Sequence, residues 1–185
     1  HIKRLLSDII DLKKDPVKGI HIKTDEKNIT QIKAIIIGPE GTPYFGGYYT
    51  FKLNFSNKYP FVPPKGVFCT TNGSIRFNPN LYANGYICLS ILGTWSGPSW
   101  SAIQTMKSVL LSISSLLNEY PLRNEPGYED YEETNQKMID YNKCIEYHNF
   151  DFAILNMLKY PDEFRCFHSI MIDEFKKNYD KYIIK

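Results

Sequence analysis

Cys88 and Asn80 are the two side chains of this 185-residue sequence whose types and spacing suit covalent chemistry done together. A thiol accepts an acyl group when it has access and alignment, and a fixed amide donor beside it can hold the charge that gathers on the acyl oxygen. Asn80 lies eight positions before Cys88, inside Phe77–Trp100, a stretch too turn-rich for a helix and too interrupted for a long strand. Asn78, Pro79, Asn80, Asn84 and Gly85 are turn-setting residues, so this backbone is expected to be pinned in loop conformations. From there the Asn80 amide could donate towards a group carried on the sulfur. For an arbitrary cysteine a buried core thiol is the commoner state, and a turn asparagine often bonds its own backbone. The spacing alone leaves both readings open.

Length and composition bound what surrounds this pair. The chain is long enough for one domain with a proper core, and 43% hydrophobic residues would fill it. A formal charge of +2 implies no broad polyanion-binding surface, which argues against nucleic-acid binding as the main role. No apolar run approaches the roughly 18–20 residues that span a bilayer, and no signal peptide is read at the start. The first residue is His1 rather than Met, as expected of a chain from which an N-terminal extension has been removed. Cys69, Cys88, Cys144 and Cys166 show neither CxxC spacing nor a disulfide-dense pattern. They read as free thiols of a reducing compartment, the cytoplasm and/or nucleus. None of His1, His21, His148 and His168 is near Cys88 in sequence, so neither a zinc site nor a Cys–His hydrolase pair is supported.

The elements that must position the pair follow from periodicity. Ile2, Leu5, Leu6, Ile9 and Ile10 predict an amphipathic helix over Ile2–Lys14, ended by Asp15-Pro16. Strands are expected at Gln31–Ile37, Tyr48–Phe55 and Val67–Thr71, with a weaker one at Ile20–Thr24. In the second of these, Thr50, Lys52 and Asn54 alternate with Phe51, Leu53 and Phe55. Gly38–Pro43 and Gly46-Gly47 are turns, so the strands make an antiparallel meander and not βαβ crossovers. Tyr59–Pro64 carries three prolines and is an irregular connection. Ile103, Met106, Val109, Leu110, Ile113, Leu116 and Leu117 mark the main packing helix. Tyr120–Tyr128 reads as a loop, Tyr131–Leu158 as helix in one or two pieces, and Pro161 as the start of a last helix. Phe164, Phe167, Met171 and Phe175 form the apolar side of that last helix.

Asn78-Pro79-Asn80 followed by Asn84-Gly85-Tyr86-Ile87-Cys88-Leu89 resembles the active-site block of ubiquitin-conjugating enzymes, which read His-Pro-Asn, a short turn, then Asn-Gly-x-Ile-Cys-Leu. Gly38-Pro39 to Gly46-Gly47, Tyr59-Pro60-Phe61 to Lys65, and Val109–Ile113 resemble the segments that flank it. Phe77–Asn80, Cys88–Trp95 and Asn124–Gly127 are similar to the family's Z branch, which has a longer loop after the cysteine; Gly93–Ser99 would supply it. The resemblance implies one α/β (α+β) domain over residues 1–185: an N-terminal helix, a four-stranded antiparallel meander, the active-site loop, a central helix, and an extended helical part from about residue 128.

The resemblance also implies an activity. Cys88 would take ubiquitin or a ubiquitin-like protein as a thioester from an activating enzyme, and pass it to a substrate lysine or a ligase. No cofactor is implied, since ATP is spent by the activating enzyme, and the chain has no Gly-x-x-x-x-Gly-Lys loop. Asn80 would stabilise the oxyanion or hold the loop that does, and Glu125 would sit near the incoming lysine, with Glu119 and Glu129 as competitors. Phe61, Ser101 and Ala102 would face the ligase, with Lys3 and Arg4 on the helix shared by ligase and activating enzyme. Three departures stand out: Asn78 for the family's histidine, read as a change of loop support; Ser90 where many members have aspartate; and Ala102 where Trp-Ser-Pro has proline. A non-catalytic protein of the same fold is the alternative; such variants typically lack the cysteine that this chain keeps.

Overall fold

The computed structural model describes residues 1–25 and 27–183. Helix α1 (Ile2–Lys14) buries Leu5, Asp8, Ile9 and Leu12, one stripe at helical spacing. Lys13 and Lys14 sit in its last turn, where positive charge suits the helix dipole, and the chain leaves helical geometry at Asp15, ahead of Pro16. Strands β1 (Ile20–Thr24), β2 (Gln31–Ile37), β3 (Tyr48–Asn54) and β4 (Lys65–Phe68) pair antiparallel in sequence order. The expected meander is present.

Strand β4 begins directly after Pro64 and stops before the expected Thr71. The Cys69 amide still reaches the Thr50 carbonyl at 2.8 Å, and from there a side chain takes over from the ladder: the Thr70 hydroxyl accepts from the Thr50 amide and donates to the Tyr48 carbonyl, both at 2.8 Å. In the β2–β3 pair Ile35 lies opposite Thr50 and Ala34 opposite Phe51, so the two parities face opposite sides. Ile32, Ala34, Ile36, Tyr49, Phe51 and Leu53 turn towards α1 and the central helix. Ile35 and Tyr48 turn the other way and are also buried, against Ile154, Met157, Phe164, Phe167 and Met171. The alternation of β3 therefore divides two interiors near Tyr48 and opens to solvent only towards Lys52 and Asn54. Fully burying a Phe or Met contributes about 1.5–3 kcal/mol, so this second cluster is a substantial part of the fold.

The central helix α2 runs Met106–Ser114, three residues shorter at its start than the apolar stripe suggests. Thr105 caps it: its hydroxyl accepts from the Ser108 amide at 3.2 Å, and the Ser108 hydroxyl accepts from the Thr105 amide at 3.1 Å. Ile103 is left in the preceding loop, 85% exposed, and is not a core residue. After α2 the loop contains a 3₁₀ turn, Pro121–Asn124, and Arg123 ties it to the Tyr131 carbonyl with two donors at 3.1 and 2.8 Å.

Helix α3 (Gln136–His148) starts five residues after the expected Tyr131, where the Asn135 side chain caps the Lys137 amide. It widens into a π-helix, Asn149–Asn156, before a last turn α4 (Met157–Lys159). The widening begins at buried Asn149, which accepts from the Tyr49 phenol at 2.6 Å and donates to the Phe45 carbonyl at 2.9 Å. Gly47 allows that approach, because a Cβ there would lie 1.9 Å from Asn149 Oδ1. Pro161 then precedes a 3₁₀ segment, Asp162–Phe167, which leads into α5 (His168–Ile183), so the last helix opens 3₁₀ and turns α only at His168. Among the described residues no helix is long and apolar enough to cross a membrane.

Candidate active site

The loop that carries Cys88 is built on Asn78, which is fully buried. Its amide donates to the Tyr44 phenol at 2.9 Å and to the Leu116 carbonyl at 2.8 Å, while its Oδ1 accepts from the Asn80 amide at 2.9 Å. Tyr44 in turn donates to the Phe77 carbonyl at 2.8 Å. One short side chain thus joins the loop to the end of α2 and to the β2–β3 turn, the supporting role the sequence suggests. Leu81 bridges to Ile87, and the Asn84-Gly85 turn reverses the chain between them.

That reversal lays Cys88 against Asn80. The Cys88 amide donates to the Asn80 carbonyl and the Asn80 side-chain amide donates to the Cys88 carbonyl, each at 2.8 Å. The Asn80 donor therefore holds the backbone of the cysteine itself instead of pointing only at a group on the sulfur. Asn80 Oδ1 is buried with no hydrogen-bond partner. The Cys88 residue is 5% exposed, and its thiol donates to the Thr94 carbonyl at 3.6 Å. Burial pushes the thiol up from its ordinary range; Arg76 acts against the shift and Glu125 adds to it. An open groove of about 670 Å³, lined by Val62, Pro63, Val67, Tyr86, Ile87 and Thr94 among others, runs up to this point.

Glu125 arrives at the site through a residue the sequence reading did not single out. The Arg76 guanidinium lies 4.3 Å over the Tyr82 ring, contacts the Pro79 carbonyl and reaches Glu125 Oε2 at 3.1 Å. Only its place just ahead of Phe77-Asn78-Pro79-Asn80 could have drawn attention to it. The competing carboxylates are engaged locally: Glu119 accepts from the Tyr120 phenol at 3.1 Å and Glu129 from the Gly127 amide at 2.8 Å.

The expected partner-binding residues gather around α1 and the two irregular loops. Buried Asp8 accepts from the Tyr59 phenol and from the Met106 amide at 3.1 Å, and the Trp100 indole donates to the Pro60 carbonyl at 2.6 Å. Arg4 belongs to this network. It bonds Asp8 at 2.9 Å, the Ala102 carbonyl at 3.0 Å and the Gln104 carbonyl at 2.7 Å, so its donors are largely spent inside the chain. Lys3 and Ser101 are exposed, Ala102 is half-buried, and Phe61 stands 82% exposed between its prolines, which removes core packing as its role. Ile103 joins Phe61 as an exposed apolar side chain, a surface residue that periodicity had assigned to the core.

A family model described as ubiquitin-conjugating enzyme matches residues 4–149. The chain is 41% identical over 186 residues to ubiquitin-conjugating enzyme E2 Z of Xenopus tropicalis, covering 98% of this chain and 58% of that protein. It is 40% identical over 184 residues to E2 Z of Homo sapiens, covering 97% and 51%. A probable ubiquitin-conjugating enzyme, E2 R521 of Acanthamoeba polyphaga mimivirus, is 38% identical over 168 residues, 86% of this chain and 12% of that protein. The chain thus spans between half and three-fifths of the E2 Z proteins it matches. With the meander, the Asn80–Cys88 loop and a match running from α1 to the end of α3, this chain belongs to the ubiquitin-conjugating enzyme family, in its E2 Z branch.

Proposed function

We propose that this chain carries ubiquitin, or a ubiquitin-like protein, as a thioester on Cys88. The activating enzyme's thioester carbon is attacked by the Cys88 sulfur; a new C–S bond forms, the old one breaks, and the thiol proton passes to the departing sulfur. One thioester replaces another, so the exchange needs access and alignment rather than a nucleotide, and ATP is consumed upstream. In the second step a substrate lysine, or a ligase cysteine, attacks the Cys88 thioester carbon; a C–N or C–S bond forms, the C–S bond to Cys88 breaks, and the proton given up by the nucleophile restores the Cys88 thiol. The second hydrogen of the Asn80 amide stabilises the charge on the acyl oxygen, and Glu125 positions the incoming amine. Phe61, Ser101 and Ala102 make the ligase-facing end, with Lys3 and Arg4 on the helix read by ligase and activating enzyme. The four cysteines are all free thiols, in keeping with work in the cytoplasm and/or nucleus.

The observation that carries this reading is the reciprocal pair of hydrogen bonds between Asn80 and Cys88, with Arg76 and Glu125 close enough to act on the same thiol. Keeping both members of that pair disfavours a non-catalytic role for the fold. The test is a charging assay against a panel of activating enzymes and modifiers, run with and without thiol reductant. A reductant-sensitive adduct is expected that Cys88→Ala abolishes and that substitutions of Cys69, Cys144 or Cys166 leave intact. An adduct that survives Cys88→Ala would remove the assignment.

A further inference from the structure

Among the described residues, Thr94 makes more side-chain hydrogen bonds to the backbone around Cys88 than any other. Its hydroxyl accepts from the Leu89 amide at 2.9 Å, and its single proton is shared between the carbonyls of Ile87 at 2.7 Å and Leu89 at 3.0 Å. Ile87 and Leu89 are the two neighbours of Cys88 in the chain, so this one hydroxyl grips the residues on both sides of the thiol. The Thr94 amide adds a bond to the Leu89 carbonyl at 3.3 Å. The consequence falls on the Thr94 carbonyl. With the side chain so held, that oxygen is delivered over the sulfur, accepting from the Cys88 thiol at 3.6 Å and from the Tyr86 phenol at 3.2 Å.

Such an arrangement favours the neutral thiol. A carbonyl oxygen accepts a hydrogen bond from S–H, whereas an ionised sulfur in its place loses that bond and faces a partial negative charge. The same contact covers the sulfur, consistent with a cysteine only 5% exposed in a loop where a nucleophile needs access. The covering segment is bounded by two glycines with positive φ, Gly93 at 70° and Gly97 at 130°, conformations that side chains rarely adopt. Residues 95–99 between and beyond them are exposed. The cover is thus a short span with permissive backbone at either end, fastened to the nucleophile's own loop chiefly through the Thr94 hydroxyl.

We propose that Thr94 is a positioning residue that latches Cys88: its hydroxyl anchors the 93–97 span, and its carbonyl caps the thiol in the resting chain. Docking of the activating enzyme must then displace this carbonyl before the sulfur can attack, so an uncharged chain is protected from adventitious acylation and oxidation. The role rests on Cys88 being the acyl acceptor, but the cap itself is read without any modifier.

The experiment follows iodoacetamide alkylation of the intact chain across pH, with each cysteine resolved by peptide mass mapping and exposed Cys144 as internal standard. Thr94→Ser keeps the hydroxyl and is expected to match the parent. Thr94→Val removes it at nearly constant shape. Cys88 is then expected to alkylate about fivefold faster at neutral pH, the scale of one lost hydrogen bond, with its pH profile displaced downwards. Thr94→Ala is the second variant should the valine chain fold poorly, with the same expectation. Parent-like rate and profile in both Val and Ala variants would overturn the latch. So would an equal acceleration at half-buried Cys69, which would mark a loosened fold. Failure of the conjugating-enzyme reading shows separately, as a parent that no activating enzyme charges while the alkylation differences persist.

Discussion

Asn80→Ala separates holding a backbone from stabilising an oxyanion, because the two roles differ by more than tenfold in what they cost. The side chain makes one hydrogen bond, from Nδ2 to the Cys88 carbonyl at 2.8 Å, in a partly buried setting. Losing it costs about 1 kcal/mol of stability, or a fall in Tm of about 2–4 °C for a chain of this size. Through misplacement of the sulfur alone, 1 kcal/mol corresponds to about fivefold in rate. Removing an oxyanion donor commonly costs about 10²–10³-fold. Charging is expected to stay within about fivefold of the parent, since the activating enzyme contributes its own groups to that step. The assay is single-turnover discharge of preformed thioester to saturating free lysine, alongside a melting curve. The expected result is a discharge rate down by about 100-fold or more with a Tm lower by only a few degrees. Discharge within about fivefold of the parent would refute the oxyanion role and leave Asn80 as a backbone tie.

Three further outcomes are expected. Phe61→Ala should weaken ligase binding by about 2 kcal/mol or more and leave melting unchanged, since the ring is exposed; an equal loss of stability would return Phe61 to the core. Asn78→Ala strands the Asn80 amide, at about 1–3 kcal/mol, and takes the shorter of two donors from the Leu116 carbonyl, which keeps the Asn124 amide at 3.3 Å; a denaturation midpoint close to the parent would show that water or relaxation replaces the lost bonds. The pH profile for alkylation of Cys88 should move in opposite senses with its two charged neighbours. Glu125 raises the thiol, so Glu125→Gln should shift the profile to lower pH; Arg76 lowers it, so Arg76→Gln should shift it to higher pH. Shifts of the same sign in both variants would mean that the ion pair acts through structure rather than charge.

Local signals were read well wherever the residues that decide an element lie within it. The stripe of α1 and the Asp15-Pro16 stop lie side by side, and the helix has the expected bounds. The same holds for β1 and β2. Ile103 misled because its spacing continues the α2 stripe, whereas the start is set by the Thr105–Ser108 cap and by Arg4, which holds the carbonyls of Ala102 and Gln104. The second buried face of β3 was invisible for a different reason: the residues that cover Tyr48 stand more than 100 positions later. At the site, the block around Cys88 was legible as a whole. The commitment of the Asn80 amide to the Cys88 carbonyl, the delivery of Glu125 by Arg76 and the grip of Thr94 were not, because each depends on where a loop closes.

The bond from the Tyr48 phenol to the Met171 carbonyl, 2.7 Å long and spanning 123 residues, fixes where this protein can be cut. The family-model match ends at residue 149, yet a fragment stopped there would bare Ile35 and Tyr48 on the sheet as an apolar patch open to water. The stretch matched by the family model is therefore shorter than the packed structure, which the E2 Z relatives match almost throughout. Expression boundaries drawn from the former would yield a sticky, half-dressed sheet, however intact its reactive loop.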